Sequence, residues 1–359
     1  MTTVGFEPPP YPYERLAGAK AKAEAHDGGV VDLSIGTPCD APPQVALDAL
    51  ANSDAERGYP ASVGSPAYRE AAANWIARRF GADLDAGAQV AACVGTKEFV
   101  GTLPQWLRLR SPDKDTVLYP SIAYPTYEMG AVLAGCRAVA VDALDAVSPE
   151  DAARALLLWV NSPANPTGEV VDLGAAAAWG RAHGVPVFSD ECYVEFTWNG
   201  RGRSILEHGS DGVVAVHSLS KRSNLAGLRA GFYAGDGDLV HYLSEVRKHV
   251  GLLVPGPVQA AAVAALGDDS HVDEQRERYR RRLEFFRTIV DAPMPDGGFY
   301  LWAPIAGGDA WAFTEDLAAR GGALVSPGDL YGQSGAGWVR VAVVQPMERL
   351  ELVAERLAR

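Results

Sequence analysis

The chain has 359 residues, 48% of them hydrophobic, which exceeds the roughly 100–200 residues of one domain and is enough to bury a deep site. A formal charge of −13 excludes nucleic acid and anionic membrane surfaces as partners, since binding either needs a basic face, and leaves a small metabolite as the better fit. If that metabolite is acidic, local arginines must overcome the global field, and this restricts where its carboxylates bind.

Residues 1–10 are polar and proline-rich and read as an arm, with no basic region followed by an apolar stretch to mark a secretory leader. A helix is expected over residues 13–25 and a strand over 30–35. Gly36, directly after that strand, lets a ligand come close to the backbone, although a plain turn before Pro38 is the simpler reading of the fragment alone. A helix over 43–51 leads into Arg57-Gly58-Tyr59-Pro60, an exposed loop whose Tyr59 reads equally as a surface or a core ring. A long helix follows over 65–80.

Residues 89–94 read as a short buried strand, and Gly95-Thr96-Lys97-Glu98 opens an amphipathic helix that runs to about 109. Free N–H groups at such a helix start, with the dipole behind them, suit a phosphate, though most strand–glycine–helix junctions bind nothing. The strand 116–119 delivers Tyr124, held extended before Pro125, whose ring can lie flat against a planar ligand or pack into the core. After a strand at 138–141, a helix at 149–154 and a strong strand at 155–160 comes Asn165-Pro166-Thr167-Gly168. This rigid turn presents one amide at the carboxyl edge of a sheet. A helix over 172–183 and a strand over 185–188 complete a βαβ unit that ends in Asp190 and Tyr193, three positions apart and able to address one ligand.

The apolar run 213–216 delivers Ser218-Leu-Ser220-Lys221-Arg-Ser-Asn-Leu-Ala-Gly-Leu-Arg229. Alone, Ser-x-Ser-Lys reads as a solvated loop. Here the Lys221 amine can form a Schiff base with an aldehyde, while Ser218, Ser220 and the Arg229 fork can reach one oxyanion, and that set is what pyridoxal phosphate requires. Sites in open parallel α/β sheets lie beyond the carboxyl ends of the strands, so Thr96, Tyr124, Asn165, Asp190, Ser218 and Lys221 should converge on one crevice. The rest of the chain reads as a strand at 231–235, helices at 238–250, 255–266 and 271–289, and a small α+β unit. That unit has strands at 298–302, 323–326 and 338–343, with helices between and after them.

Other chemistries find little purchase. Gly235-Asp-Gly237-Asp-Leu-Val240 begins like a dinucleotide fingerprint but has Val240 where the third glycine belongs. No Walker-type loop, no metal spacing among the seven histidines and no Gly-x-Ser-x-Gly elbow occurs. Cys39, Cys93, Cys136 and Cys192 are scattered with no Cys-x-x-Cys, so they read as reduced thiols. No apolar run reaches the ~20 residues of a membrane span, and a cytoplasmic protein is expected.

Taken together, these residues resemble the class I/II aminotransferases of fold-type I, over about residues 32–343. The resemblance implies an α/β fold with a mainly parallel central sheet between helices. Residues 1–40 would form an arm and part of the small domain, 41–270 the large cofactor domain and 271–359 the small domain. It implies that Lys221 holds pyridoxal 5′-phosphate covalently and shuttles the proton, that Asp190 pairs with the ring nitrogen, that Asn165 and Tyr193 bond the ring oxygen, and that Tyr124 stacks on the ring. Thr96 and Lys97 amides, Ser218, Ser220 and Arg229 would hold the phosphate, with Tyr59 reaching over from the second subunit of a homodimer. Arg340, Asn165 and the Gly36 backbone would meet the substrate α-carboxylate.

Within the family, the lysine stretch, the short length and Gly-Thr-Lys-Glu look most like the N-succinyldiaminopimelate aminotransferases of actinobacteria. The implied reaction converts N-succinyl-LL-diaminopimelate and 2-oxoglutarate to N-succinyl-2-amino-6-ketopimelate and glutamate, in lysine and diaminopimelate biosynthesis. The alternatives are an aminotransferase for aspartate or LL-diaminopimelate, a β-lyase, or a non-catalytic cofactor-sensing domain. The last lacks support from any basic patch or helix-turn-helix extension.

Overall fold

Seven strands build the large sheet of the computed structural model, which describes residues 5–55 and 57–359. Of the expected N-terminal arm, residues 1–4 lie outside the described residues. In chain order the strands are β1 (Val31–Asp32), β2 (Val90–Cys93), β3 (Thr116–Pro120), β4 (Arg137–Val141), β5 (Ala155–Asn161) and β6 (Val187–Asp190). There follow β7 (Val213–Ser218), β8 (Gly231–Gly235), β9 (Tyr300–Pro304), β10 (Ala323–Leu324), β11 (Ser326–Pro327) and β12 (Trp338–Ala342).

The large sheet has the order β2-β8-β7-β6-β5-β3-β4. Strands β4, β3, β5, β6 and β7 are parallel neighbours, and β8 runs antiparallel to both β7 and β2. Every residue of β5, β6 and β7 is buried, as expected of strands covered by helices on both faces, and this is why they appear in the sequence as unbroken apolar runs. Helices cross between parallel neighbours, such as Leu173–His183 between β5 and β6, capped by the Asp172 carboxylate at one end and by left-handed Gly184 at the other. Six of the seven strands therefore point their carboxyl ends to one edge. Two smaller sheets, β1-β10 and β11-β12-β9, share a separate apolar core with the long helix Ser270–Val290, through Tyr279, Phe286, Phe299 and Val341.

Several expected elements differ. The helix over 13–25 begins as a 3-10 turn, Pro12–Leu16, before the α-helix Ala17–Glu24. The strand over 30–35 shrinks to β1, and the strand over 323–326 splits into β10 and β11, which pair with different partners. The strand expected from 298 starts at Tyr300, because Gly298 takes a left-handed φ of 74°. A helix, Thr126–Leu133, occupies a stretch to which the sequence assigned no element.

Candidate active site

The common carboxyl edge of the large sheet and the small sheets enclose a cavity of about 430 Å³. Thr96, Lys97, Tyr124, Asn165, Asp190, Tyr193, Ser218, Ser220, Lys221, Arg229, Gly36 and Arg340 all line it. Tyr59 does not: it is 99% exposed on its loop.

The short helix Leu219–Arg222 places Lys221 here, directly after β7. The Ser218 hydroxyl caps that helix by accepting the Ser220 N–H at 3.1 Å. Lys221 Nζ donates to the Gly36 carbonyl. Burial lowers its affinity for a proton to a pKa of about 8; Arg340 and Arg229 push the same way, against Cys192 and Asp190. Roughly a tenth of the amine is thus unprotonated at pH 7 and half near pH 8, far more than an unperturbed lysine would offer as a nucleophile.

Asp190, at the end of β6, is buried with neutral donors only: the Tyr127 hydroxyl at 2.9 Å and the Cys192 N–H at 3.2 Å. Burial raises its pKa, and the two hydrogen bonds and Lys221 oppose that rise. Asn161 fixes the neighbouring turn, donating to the Asp190 carbonyl at 2.8 Å and accepting the Asn165 N–H at 2.7 Å. Tyr193 and Tyr300 share a hydrogen bond between hydroxyls at 2.7 Å, both with proton affinity raised by burial, Tyr300 to about 12. Tyr300 also explains Gly36: a Cβ there would overlap the tyrosine hydroxyl.

At the far side, the helix Thr96–Arg110 starts from Gly95 at φ 79° with no side-chain cap, and its first residues, Thr96 and Lys97, line the cavity. Arg229, itself left-handed at φ 55°, lays its guanidinium over Gly95, where a Cβ would overlap Nη2. Its Nη1 donates to the Ala226 carbonyl at 2.8 Å. The Thr96 hydroxyl accepts from Cys192 Sγ at 3.4 Å, and Lys97 Nζ donates to the Tyr11 hydroxyl at 2.9 Å.

Arg340, on β12, is only 2% exposed. Its Nη1 donates to Asn165 Oδ1 at 2.8 Å and Nη2 to the Ser34 carbonyl, while Nε is buried without a partner. Tyr300 and Tyr331 flank the guanidinium at 4.4 and 4.7 Å. Among the described residues no carboxylate pairs with it, and a buried cation so placed calls for an anion from outside.

The aminotransferase class I and II family matches residues 28–357. The chain belongs to this family. Curated relatives include 4-dedimethylamino-4-oxo-anhydrotetracycline transaminase OxyQ of Streptomyces rimosus, 44% identical over 98% of this chain and 99% of that one. LL-diaminopimelate aminotransferase of Desulforudis audaxviator is 35% identical over 97% and 95%. Among solved structures, the probable N-succinyldiaminopimelate aminotransferase of Thermus thermophilus superposes with a TM-score of 0.87, at 31% identity over 96% of this chain and 98% of that one.

As a class I/II aminotransferase the chain depends on pyridoxal phosphate. The residues fit that group. A buried carboxylate whose hydrogen-bond donors are all neutral suits a protonated ring nitrogen, and Gly95 leaves room for an arginine beside uncapped helix N–H groups that suit a phosphate.

Tyr127 and Tyr300 were not legible as site residues from the sequence, because each acts on a partner far along the chain. Asn161 was within reach, since it shares the turn with Asn165.

Proposed function

We propose that this aminotransferase uses glutamate and N-succinyl-2-amino-6-ketopimelate as its amino donor and acceptor, by a ping-pong exchange. The observation that carries the reading is the two unequal cations of the cavity that the cofactor does not claim: Arg340, buried and without a counter-ion among the described residues, and Lys97 at the exposed rim with Tyr11. A substrate with one α-carboxylate and a second on a long arm suits that pair. The resemblance of the lysine stretch to the succinyldiaminopimelate enzymes and the likeness to the Thermus thermophilus structure point the same way.

In this reading Arg340, Asn165 and the Gly36 backbone hold the α-carboxylate, and Lys97 with the Tyr11 hydroxyl receives the succinyl carboxylate. Lys221 removes the Cα proton and returns it at the other end of the transfer. Asp190, oriented by Tyr127, keeps the ring nitrogen protonated; Asn165 and Tyr193 bond the ring oxygen, and Tyr124 lies against the ring. Ser218, Ser220, Arg229 and the first amides of the Thr96–Arg110 helix hold the phosphate. When bound, the cofactor takes up the electron pair of the Cα–H bond and carries the amino group between the two half-reactions.

The test is a panel of amino donors with 2-oxoglutarate. N-succinyl-LL-diaminopimelate should show the highest specificity constant, because a succinyl carboxylate desolvated without a partner would cost several kcal/mol. A value as high or higher for free LL-diaminopimelate, for aspartate or for an anhydrotetracycline-type amine would overturn the substrate assignment and leave the aminotransferase standing.

The exposed Tyr59 is proposed to complete the phosphate site of a second copy in a homodimer. Tyr59→Phe should then hold the cofactor about tenfold more weakly, the effect of losing a hydrogen bond to a charged group. A fully active monomer by sedimentation, or unchanged cofactor affinity in Tyr59→Phe, would refute this.

A further inference from the structure

The three residues after Lys221 are each tied to a segment that joins the large sheet to the small ones. Arg222, 4% exposed, donates to Asp269 Oδ1 at 2.9 Å and to the Asp268 carbonyl at 3.2 Å, just before the helix Ser270–Val290. The Ser223 hydroxyl meets His271 Nε2 at 2.9 Å, and His271 Nδ1 in turn meets Asp268 Oδ2 at 2.8 Å. This Ser-His-Asp chain has hydrolase-like order, but Ser223 is 1% exposed, out of a substrate's reach, so it is a tie and not a nucleophile.

Asn224 completes the set. Its amide donates to the Ala41 carbonyl and to Gln275 Oε1, each at 3.3 Å, while its backbone sits in the left-handed region at φ 55°. Ala41 lies on the segment that leads from β1 into the large-sheet layer, and Gln275 on the long helix that leads back out. The two segments are themselves pinned together, because Asp40 takes a two-pronged bond from Arg282 at 2.6 and 2.7 Å and another from Gln275 at 2.7 Å. The tip of Lys221 touches the first segment too, at the Gly36 carbonyl.

We propose that Arg222, Ser223 and Asn224 form a latch through which both connections between the sheets set where Lys221 stands, with His271 as its positioning residue. The latch has work to do because the cavity is made of two halves. Arg340 comes from β12 of a small sheet and Asn165 from the edge of the large one, so an anion held by both biases the position of one against the other. The latch passes that bias to the lysine. Substrate capture and amine placement are thereby coupled, in the range of about 5–150-fold usual between linked sites. The inference rests on the reading of Lys221 as the amine that bears the cofactor.

The experiment uses the holoenzyme and glutarate, which has two carboxylates but no group to react. Borohydride reduction and peptide mapping first place the cofactor, and a label away from Lys221 would sink that underlying reading separately. Hydrogen exchange of peptide 219–226 is then measured with and without saturating glutarate. In the wild type glutarate should slow exchange by about fivefold or more, the lower end of that coupling range. In Asn224→Gly combined with His271→Phe, glutarate should still bind by calorimetry while the slowing disappears. Asn224→Gly alone, which keeps the left-handed backbone without strain, should lose part of it and serves if the double variant does not fold. Undiminished slowing in these variants, or none in the wild type, overturns the latch.

Discussion

Lys221→Arg should fold and still bind pyridoxal phosphate non-covalently, yet turn over glutamate about 10⁴-fold more slowly or worse, the scale on which a lone nucleophile and proton carrier is missed. Arginine preserves charge and approximate size, but its guanidinium stays protonated and can neither attack an aldehyde nor take a proton from Cα. The wild-type lysine can do both because its surroundings lower its pKa from 10.5 to about 8, chiefly by burial. The sign of the pH dependence follows. Free amine accumulates as pH rises through about 8, so the rate at which cofactor-free enzyme captures the cofactor covalently should level off just above pH 8, well before 10.5. Stopped-flow absorbance across that range, with borohydride mapping of the product, measures it. Activity within tenfold of wild type in Lys221→Arg, or a pyridoxyl label on Lys97, would remove Lys221 from its role.

Much of this site is legible in the sequence because a parallel sheet writes its strands as apolar runs and its ligand edge as whatever follows them. Thr96, Tyr124, Asn165, Asp190 and Lys221 each come after such a run, and the structure brings all five to one cavity. What escapes has a physical reason in each case. The Thr126–Leu133 helix is eight residues long, with a glycine at 130 and β-branched Thr126 and Val132, so its propensity is weak and packing decides it. Tyr127 was lost with that helix, although it holds Asp190 across 63 positions. The Tyr193–Tyr300 bond spans 107 positions and joins the turn after β6 to β9, a pairing that no local pattern encodes. Tyr59, wholly exposed, has no role that one chain can display.

Arg340→Lys should leave the cofactor in place and lower kcat/KM for both amino substrates by about 30-fold to several thousand-fold, the 2–5 kcal/mol typical when one partner of a buried charged pair is cut back. Cofactor retention is expected because Arg340 stands on β12, whereas Asp190 and Ser218 belong to the large sheet and Lys221 to the short helix directly after β7. The loss of substrate binding follows from geometry. The arginine is already fixed by Asn165 and the Ser34 carbonyl and flanked by two tyrosine rings, so its fork meets a carboxylate with little freedom left to lose. A lysine ammonium offers a point charge that cannot keep Asn165 and bind a carboxylate in two places at once. The buried Nε with no partner also indicates that the cation is held for something other than the fold, since a purely structural arginine would be expected to spend its donors within the chain. Steady-state constants with glutamate and 2-oxoglutarate, alongside the cofactor absorbance of the purified variant, separate the two roles. Release of the cofactor with unchanged KM values would make Arg340 a structural residue and leave the α-carboxylate without its proposed partner.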